Sequence, residues 1–202
     1  MDATLPFYDQ RRRQFHLSRY RFAAERLSGL AVIDLACGTG YGSQILVEQG
    51  HVSSVVGVDR DPAAVSYAAT AHTIRGARFI ASDGCRTGLA EGSSEAVVSF
   101  ETIEHLSDDK AFVEEIHRIL RPGGIIICST PNQWDPSPHH ERVYTLDSFC
   151  SLFDKLFTDF EVFNQNSGSK WKFNHGQPTG IVRTTPDNSH TAECYILVAR
   201  RV

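Results

Sequence analysis

Val32-Ile33-Asp34-Leu35-Ala36-Cys37-Gly38-Thr39-Gly40-Tyr41-Gly42 is the stretch whose reading decides the fold. An apolar run of strand length ends in an acidic residue and a leucine, small residues recur at alternate positions, and a helical pattern follows from Tyr41 to Glu48. Small residues let a ligand touch the backbone. A turn that opens a helix also presents free N–H groups and the positive end of the helix dipole, which favour a carboxylate or phosphate. The ligand this implies is a nucleotide bearing an anionic group. The dinucleotide pattern Gly-x-Gly-x-x-Gly is broken, because Ser43 stands where its third glycine would fall.

Upstream of that turn, residues 8–27 read as a helix, with Tyr20, Ala23, Ala24 and Leu27 near the helical period before a break at Ser28-Gly29. A strand then runs from Leu30 to Leu35. Downstream, Val55 to Val58 reads as a buried strand, and Asp61-Pro62 starts a helix reaching about His72, with Asp as cap and Pro in the first turn. Strands at Arg78 to Ala81 and Ala96 to Phe100 flank a loop rich in Gly and Ser. Phe112, Val113, Ile116, Ile119 and Leu120 share one face of a helix over Asp108 to Leu120, which Arg121-Pro122-Gly123-Gly124 ends before a strand at Ile125 to Ser129.

Thr145 caps a further helix that turns Leu146, Phe149, Leu152, Phe153 and Leu156 toward the sheet, and a strand near Phe160 to Phe163 follows. Residues 164–190 are polar, with Pro178 and Pro186, and read as a long hairpin or a substrate loop before a last strand at Cys194 to Ala199. Strands alternating with helices predict an α/β fold with a parallel sheet between helical layers.

A chain of 202 residues, 41% hydrophobic and 22% charged, suits one domain. Cys37, Cys85, Cys128, Cys150 and Cys194 are scattered and lack CxxC spacing, so reduced thiols are expected rather than disulfides or a zinc site. Residues 1–14 lack an apolar run, no later run is long enough to cross a bilayer, and a cytoplasmic protein without a membrane partner is expected. The net charge of −4 gives no general attraction to phosphate backbones, so nucleic acid is not expected as a partner. Six arginines, Arg11 to Arg13, Arg19, Arg21 and Arg26, crowd the first 26 residues and read as a solvated helix face.

Two more acidic residues stand at strand ends. Asp59 can accept hydrogen bonds from both ribose hydroxyls of a nucleoside, and Asp83, in Ser82-Asp83-Gly84, can accept from an adenine amine. A satisfied turn residue is the alternative for Asp34, and a helix cap the alternative for Asp83.

With these motifs in order, the chain resembles the class I S-adenosylmethionine-dependent methyltransferases. The resemblance covers roughly Tyr8 to Gln165 and rests on VIDLACGTGYGS, VVGVDRDP, FIASDG, SFETIEHL and LRPGGIIICSTPN. HLSRYRFAAERL and SPHHERVYTLDSF are similar to bacterial members of saccharide, cell-surface or natural-product pathways.

The resemblance implies a Rossmann-like three-layer sandwich with a mostly parallel seven-stranded sheet and an antiparallel last strand. It also implies an N-terminal helical lid over residues 1–29, and a 164–190 insertion bordering the acceptor site. It places Ala36, Gly38 and Gly40 along the methionine part of the cofactor, Arg19 on its carboxylate, and Asp59 and Arg60 on ribose and adenine. Asp83 and Gly84 fall at the adenine edge, and Phe100 and Glu101 form the inner wall. The family usually has Gly where this chain has Ala36.

Methyl transfer from a sulfonium is a direct displacement that needs acceptor, methyl carbon and sulfur in line. A hydroxyl acceptor also needs its proton removed as attack proceeds, whereas a neutral amine can lose it afterwards. His105 and His140 are the candidate bases, each with a structural alternative, and His139 is a weaker substitute. No metal is expected, although Glu101, Glu104, His105 and His140 also resemble the cation-binding set of small-RNA 2′-O-methyltransferases.

Two further alternatives are an NAD-binding oxidoreductase, which Ser43 disfavours, and a noncatalytic S-adenosylmethionine-binding protein. The expected acceptor is a small hydroxylated or amino-bearing metabolite, a sugar or sugar-containing natural product by the subgroup resemblance. Tyr8, Trp134, Trp171 and Phe173 are candidates to line its pocket. Trp171 reads equally as core or as a homodimer contact.

Overall fold

The computed structural model describes residues 10–72, 75–132, 139–166 and 180–202. The elements begin with helix α1 (Gln10–Ala24), strand β1 (Ala31–Leu35), α2 (Tyr41–Glu48), β2 (Ser54–Asp59), α3 (Pro62–Ala71), β3 (Ala77–Ala81) and β4 (Ser94–Phe100). They continue with α4 (Asp109–Ile119), β5 (Leu120–Pro131), α5 (Leu146–Ser151), β6 (Phe157–Asn166), β7 (Gly180–Arg183) and β8 (Cys194–Arg201). The eight strands form one sheet in the order β3-β2-β1-β4-β5-β8-β6-β7. β1 to β5 pair in parallel, while β8 lies antiparallel between β5 and β6. The Rossmann-like sheet with an antiparallel last strand is therefore present. The additional strand, β7, comes from the polar segment and pairs antiparallel with Phe163 to Asn166 at the end of β6.

The two-residue period of the strands sorts their side chains between two apolar layers. Ile33, Leu35, Val97 and Ile126 pack with Phe112, Ile116 and Ile119 of α4 and Phe149 of α5. Val32, Val55, Ala96, Val98 and Ile127 pack with Tyr20, Ala23 and Leu27 of the N-terminal segment and Ile45 and Leu46 of α2. Asp34 alternates with Ile33 and Leu35 and so faces the second layer, a carboxylate on an apolar face.

The helix ends follow the local chemistry. Asp61 caps α3 by accepting from the Ala63 N–H at 2.9 Å, and Asp108 caps α4 by accepting from the Ala111 N–H at 2.9 Å. Thr145 and Ser148 form a reciprocal capping box on α5. That helix is shorter than its apolar pattern suggests: it ends at Ser151, and Phe153, still fully buried, reaches the core from the turns beyond. Leu120 likewise leaves α4 directly for extended backbone and pairs with Ser94, so Arg121-Pro122-Gly123-Gly124 lies within β5 beside a register shift.

The arginine cluster divides. Arg21 is exposed, as a solvated face requires, and the Arg26 guanidinium lies 3.5 Å from the centre of the Phe22 ring. Arg19 is instead 1% exposed, because a carboxylate partner lies beneath it. The side chains of Arg11 to Arg13 lie outside the described residues, as do Tyr8, Trp134, Trp171 and Phe173.

Candidate cofactor and acceptor site

The glycine-rich turn joins β1 to α2 at the carboxyl end of the parallel strands, where open α/β sheets collect ligands. Ala36, Gly38 and Gly40 all have positive φ, at 64°, 54° and 82°. Two of these left-handed positions are glycines; the third forces an alanine into a conformation L-residues resist.

The glycines do different jobs. A Cβ on Gly40 would come within 2.7 Å of Ala68 and 2.9 Å of Phe79, and one on Gly42 within 2.0 Å of the Tyr20 ring. Those two glycines admit protein neighbours. A Cβ on Gly38 meets nothing within 4 Å, so Gly38 is the one with open space for a ligand.

Asp59, at the end of β2, braces this turn. One carboxylate oxygen accepts from the Gly38 N–H at 2.8 Å and the other from the Asp61 N–H at 3.0 Å. Each oxygen keeps a lone pair for a further donor. Arg60 beside it is exposed. Asp83 caps no helix: it accepts from the Cys85 N–H at 2.8 Å in an Asx turn and is exposed. Gly84 packs against Phe112 closely enough that a Cβ would lie 2.9 Å from its ring.

Asp34 is fully buried and both its oxygens are engaged, by the Tyr20 hydroxyl at 3.1 Å and the Ser43 hydroxyl at 2.7 Å. Burial pushes its carboxyl up to about 6, against the lowering effect of those two hydrogen bonds. The folded protein thus holds a proton that the unfolded chain releases near pH 4. The resulting stability is full below that point and is lost as pH rises through about 6.

Comparing wild type with Asp34→Asn by urea unfolding should therefore show the difference in stability moving against the wild type. The expected change is on the order of 2 kcal/mol between about pH 4.5 and 7. Parallel stability curves across that range would show that Asp34 does not titrate there.

A second cluster sits beyond β4 and β5. Glu101 has φ 53°, and one of its oxygens meets the Arg19 guanidinium at 3.0 Å, the Ser129 hydroxyl at 3.0 Å and the Cys194 thiol at 3.2 Å. Burial raises its carboxyl more than any one neighbour lowers it, but Arg19, the Cys194 and Ser129 hydrogen bonds and His16 together hold it below the usual range. Arg19 also meets Cys194 at 3.4 Å and His16 at 2.5 Å. The two terminal nitrogens expected to meet a methionine carboxylate are thus directed at other partners. Phe100 packs edge-on to Tyr20, with ring centres 4.8 Å apart.

Glu104, on the turn Ile103–His105, is 1% exposed and accepts from the Thr130 hydroxyl at 3.3 Å, while its other oxygen is buried without a hydrogen bond, 3.8 Å from His105 Nε2. Burial, and then the charge of Glu101, push its carboxyl well above the ordinary value. The donor atoms of Glu104, His105 and His140 lie within 4.8 Å of one another.

His105 Nδ1 is 2.8 Å from the His139 carbonyl oxygen, which can only accept, so Nδ1 carries a proton and the neutral ring keeps its Nε2 lone pair. Burial and His105 push His140 below the ordinary imidazole value. A groove lined by Ile125, Phe160, Glu161, Val198 and Arg200 lies at the opposite end of β5, away from all of these groups.

The family described as "Methyltransferase domain" matches residues 33–128, from the strand before the glycine turn to the middle of β5. Over those residues the chain is similar to the class I S-adenosylmethionine-dependent methyltransferases. One relative, a probable S-adenosylmethionine-dependent methyltransferase of Mycolicibacterium smegmatis, is 38% identical over 124 residues, 59% of this chain and 45% of that protein. Another of that description, from Mycobacterium tuberculosis, is 31% identical over 153 residues, 71% of this chain and 54% of that one. The chain thus spans about half the length of these curated relatives.

A Thermotoga maritima structure described as an S-adenosylmethionine-dependent methyltransferase, possible histamine N-methyltransferase, superposes with a TM-score of 0.71. Its sequence identity is 16%, over 96% of this chain and 95% of that one, and it supports the methyltransferase fold. No helix among the described residues is long and apolar enough to cross a membrane.

Proposed function

We propose that this methyltransferase moves the methyl group of S-adenosylmethionine to a hydroxyl of a small metabolite, with a sugar or sugar-containing natural product as the favoured class. Support for the cofactor comes from the family match over residues 33–128 and from Asp59, which braces Gly38 with one oxygen and Asp61 with the other and keeps a lone pair on each for a ribose hydroxyl. The observation that carries the acceptor chemistry is the His105 tautomer. Its Nδ1–H is tied to the His139 carbonyl, which leaves the Nε2 lone pair free to accept a proton in the cluster with Glu104 and His140. A hydroxyl needs such a base and a neutral amine does not.

In the proposed step the acceptor oxygen attacks the methyl carbon as the carbon–sulfur bond breaks. Its proton passes to an imidazole Nε2, and S-adenosylhomocysteine leaves with the sulfur's electron pair. The acceptor side chains bordering this step, and the methionine contacts of Ala36, Gly38, Gly40, Phe100 and Glu101, belong to the same proposal.

A second reading rests on the buried Glu104 oxygen that lacks a hydrogen bond and faces His105 Nε2. Glu104, His105 and His140 fit a divalent cation: one carboxylate oxygen lacks a hydrogen bond, and one imidazole has its other nitrogen tied to a carbonyl, as metal-ligating histidines usually do. Such an ion would supply Lewis acidity toward the acceptor hydroxyl. Glu101 fits that set poorly because Arg19 holds its charge. An RNA acceptor has no support in a net charge of −4.

The test is an assay of S-adenosylhomocysteine release over a panel of polyols, phenols and amines, with Mn²⁺ binding followed by paramagnetic resonance in wild type and Glu104→Gln. O-methylated products are expected. Turnover restricted to amines would overturn the hydroxyl assignment, and no turnover over the panel would favour a noncatalytic binding protein. One Mn²⁺ site lost in Glu104→Gln would support the cation reading. No such site, with activity intact in chelator, would exclude it.

A further inference from the structure

Three successive residues of α1 engage three different strands at the carboxyl edge of the sheet. The Ser18 hydroxyl accepts from Gln165 of β6 at 2.7 Å, Arg19 pairs with Glu101 at the end of β4 at 3.0 Å, and the Tyr20 hydroxyl donates to Asp34 of β1 at 3.1 Å. Gln165 also donates to the Phe15 carbonyl at 2.6 Å. One turn of helix is thereby fixed in both position and rotation.

Tyr20 is what this fixation delivers to the glycine turn. Its ring covers Gly42, where even a Cβ would collide at 2.0 Å, and its edges meet Tyr41 at 5.5 Å and Phe100 at 4.8 Å between ring centres. Its hydroxyl shares the Asp34 carboxylate with Ser43, in the first turn of α2. The strand before the turn and the helix after it are therefore held to α1 through one buried carboxylate.

We propose that Tyr20 is a positioning residue for the cofactor turn, setting the angle between β1 and the first turn of α2 through Asp34 and Ser43. The proposal rests on the reading of that turn as the S-adenosylmethionine site. Tyr20 touches no ligand in this account; it preorganises the backbone that does. Preorganised backbone lowers the ordering cost of binding, so loosening it appears as lost affinity.

The test is calorimetric titration of S-adenosylhomocysteine into wild type, Tyr20→Phe, Ser43→Ala and the double variant, with Tm measured alongside. Tyr20→Phe keeps the ring over Gly42 and removes only the hydroxyl. About a tenfold rise in Kd is expected for each single variant, from one hydrogen bond to a charged acceptor. The double variant should lose less than the product of the two, because both bonds act through Asp34.

A Kd within twofold of wild type in both single variants would overturn the proposal, whatever the change in Tm. Independent, multiplicative effects would remove Asp34 as the shared link and overturn it as well. If Tyr20→Phe does not fold, Ser43→Ala alone decides: an unchanged Kd counts against the proposal and a tenfold rise counts for it. Failure of wild type to bind S-adenosylhomocysteine would instead refute the underlying reading of the site.

Discussion

Replacing Asp59 by alanine is expected to weaken S-adenosylhomocysteine binding by roughly 100-fold or more. In the proposed placement two charge-assisted hydrogen bonds to the ribose diol are at stake, each worth about 1.5–3 kcal/mol. The substitution also frees the Gly38 and Asp61 N–H groups that Asp59 accepts. Those bonds brace the one glycine of the turn whose Cβ position is open, so the variant loses ligand contact and turn geometry together. Equilibrium dialysis with labelled cofactor reads the effect. The fall in thermal stability should be modest, since Asp59 lies at the end of β2 and outside both apolar layers. Unchanged affinity in a folded variant would mean that the ribose lies elsewhere.

The second large effect is on turnover. Alanine at His105 or at His140 is expected to lower kcat by about 10²–10⁴-fold for the variant that removes the base, the range general-base catalysis usually spans. S-adenosylhomocysteine affinity should be unaffected, because neither imidazole contacts the glycine turn. The two rings lie 4.8 Å apart, so the other ring is expected to show a smaller, positioning effect. Rapid-quench measurement of a single turnover separates this loss from product release. Equal rates in wild type and both variants would remove histidine from the proton transfer and leave a neutral amine as the better acceptor.

The glycine turn was legible in the sequence because backbone geometry there demands particular residues. Positive φ at 38 and 40 and close neighbours at 40 and 42 leave little choice but glycine, and the strand and helix on either side carry clean periods. The position of Asp59 was legible for a different reason: an acidic residue ends a buried apolar strand.

The link from Tyr20 to Asp34 was not. Tyr20 fell on the apolar face of the helix read over residues 8–27, with Ala23 and Leu27, and nothing local gives its hydroxyl a partner 14 residues away. One signal was available, since a carboxylate between Ile33 and Leu35 in a strand covered on both faces must find buried donors.

Arg19 was read with its neighbouring arginines as a solvated face, yet it adjoins the buried Tyr20. Only the crossing of α1 over β4 brings it to Glu101. Glu115 is similar. It sits three residues after Phe112 on the buried side of α4, where it accepts from the Thr87 N–H at 2.8 Å and from Arg118. The tautomer of His105 depends on a carbonyl 34 residues downstream and is a product of tertiary structure alone.

A crystal structure of the chain with S-adenosylhomocysteine tests the central claim most directly. The account predicts ribose hydroxyls on the Asp59 carboxylate, the amino-acid portion against the open side of Gly38, and the sulfur turned toward the end of β4. A ribose held away from Asp59, or a ligand seated at the opposite end of the strands, would contradict it.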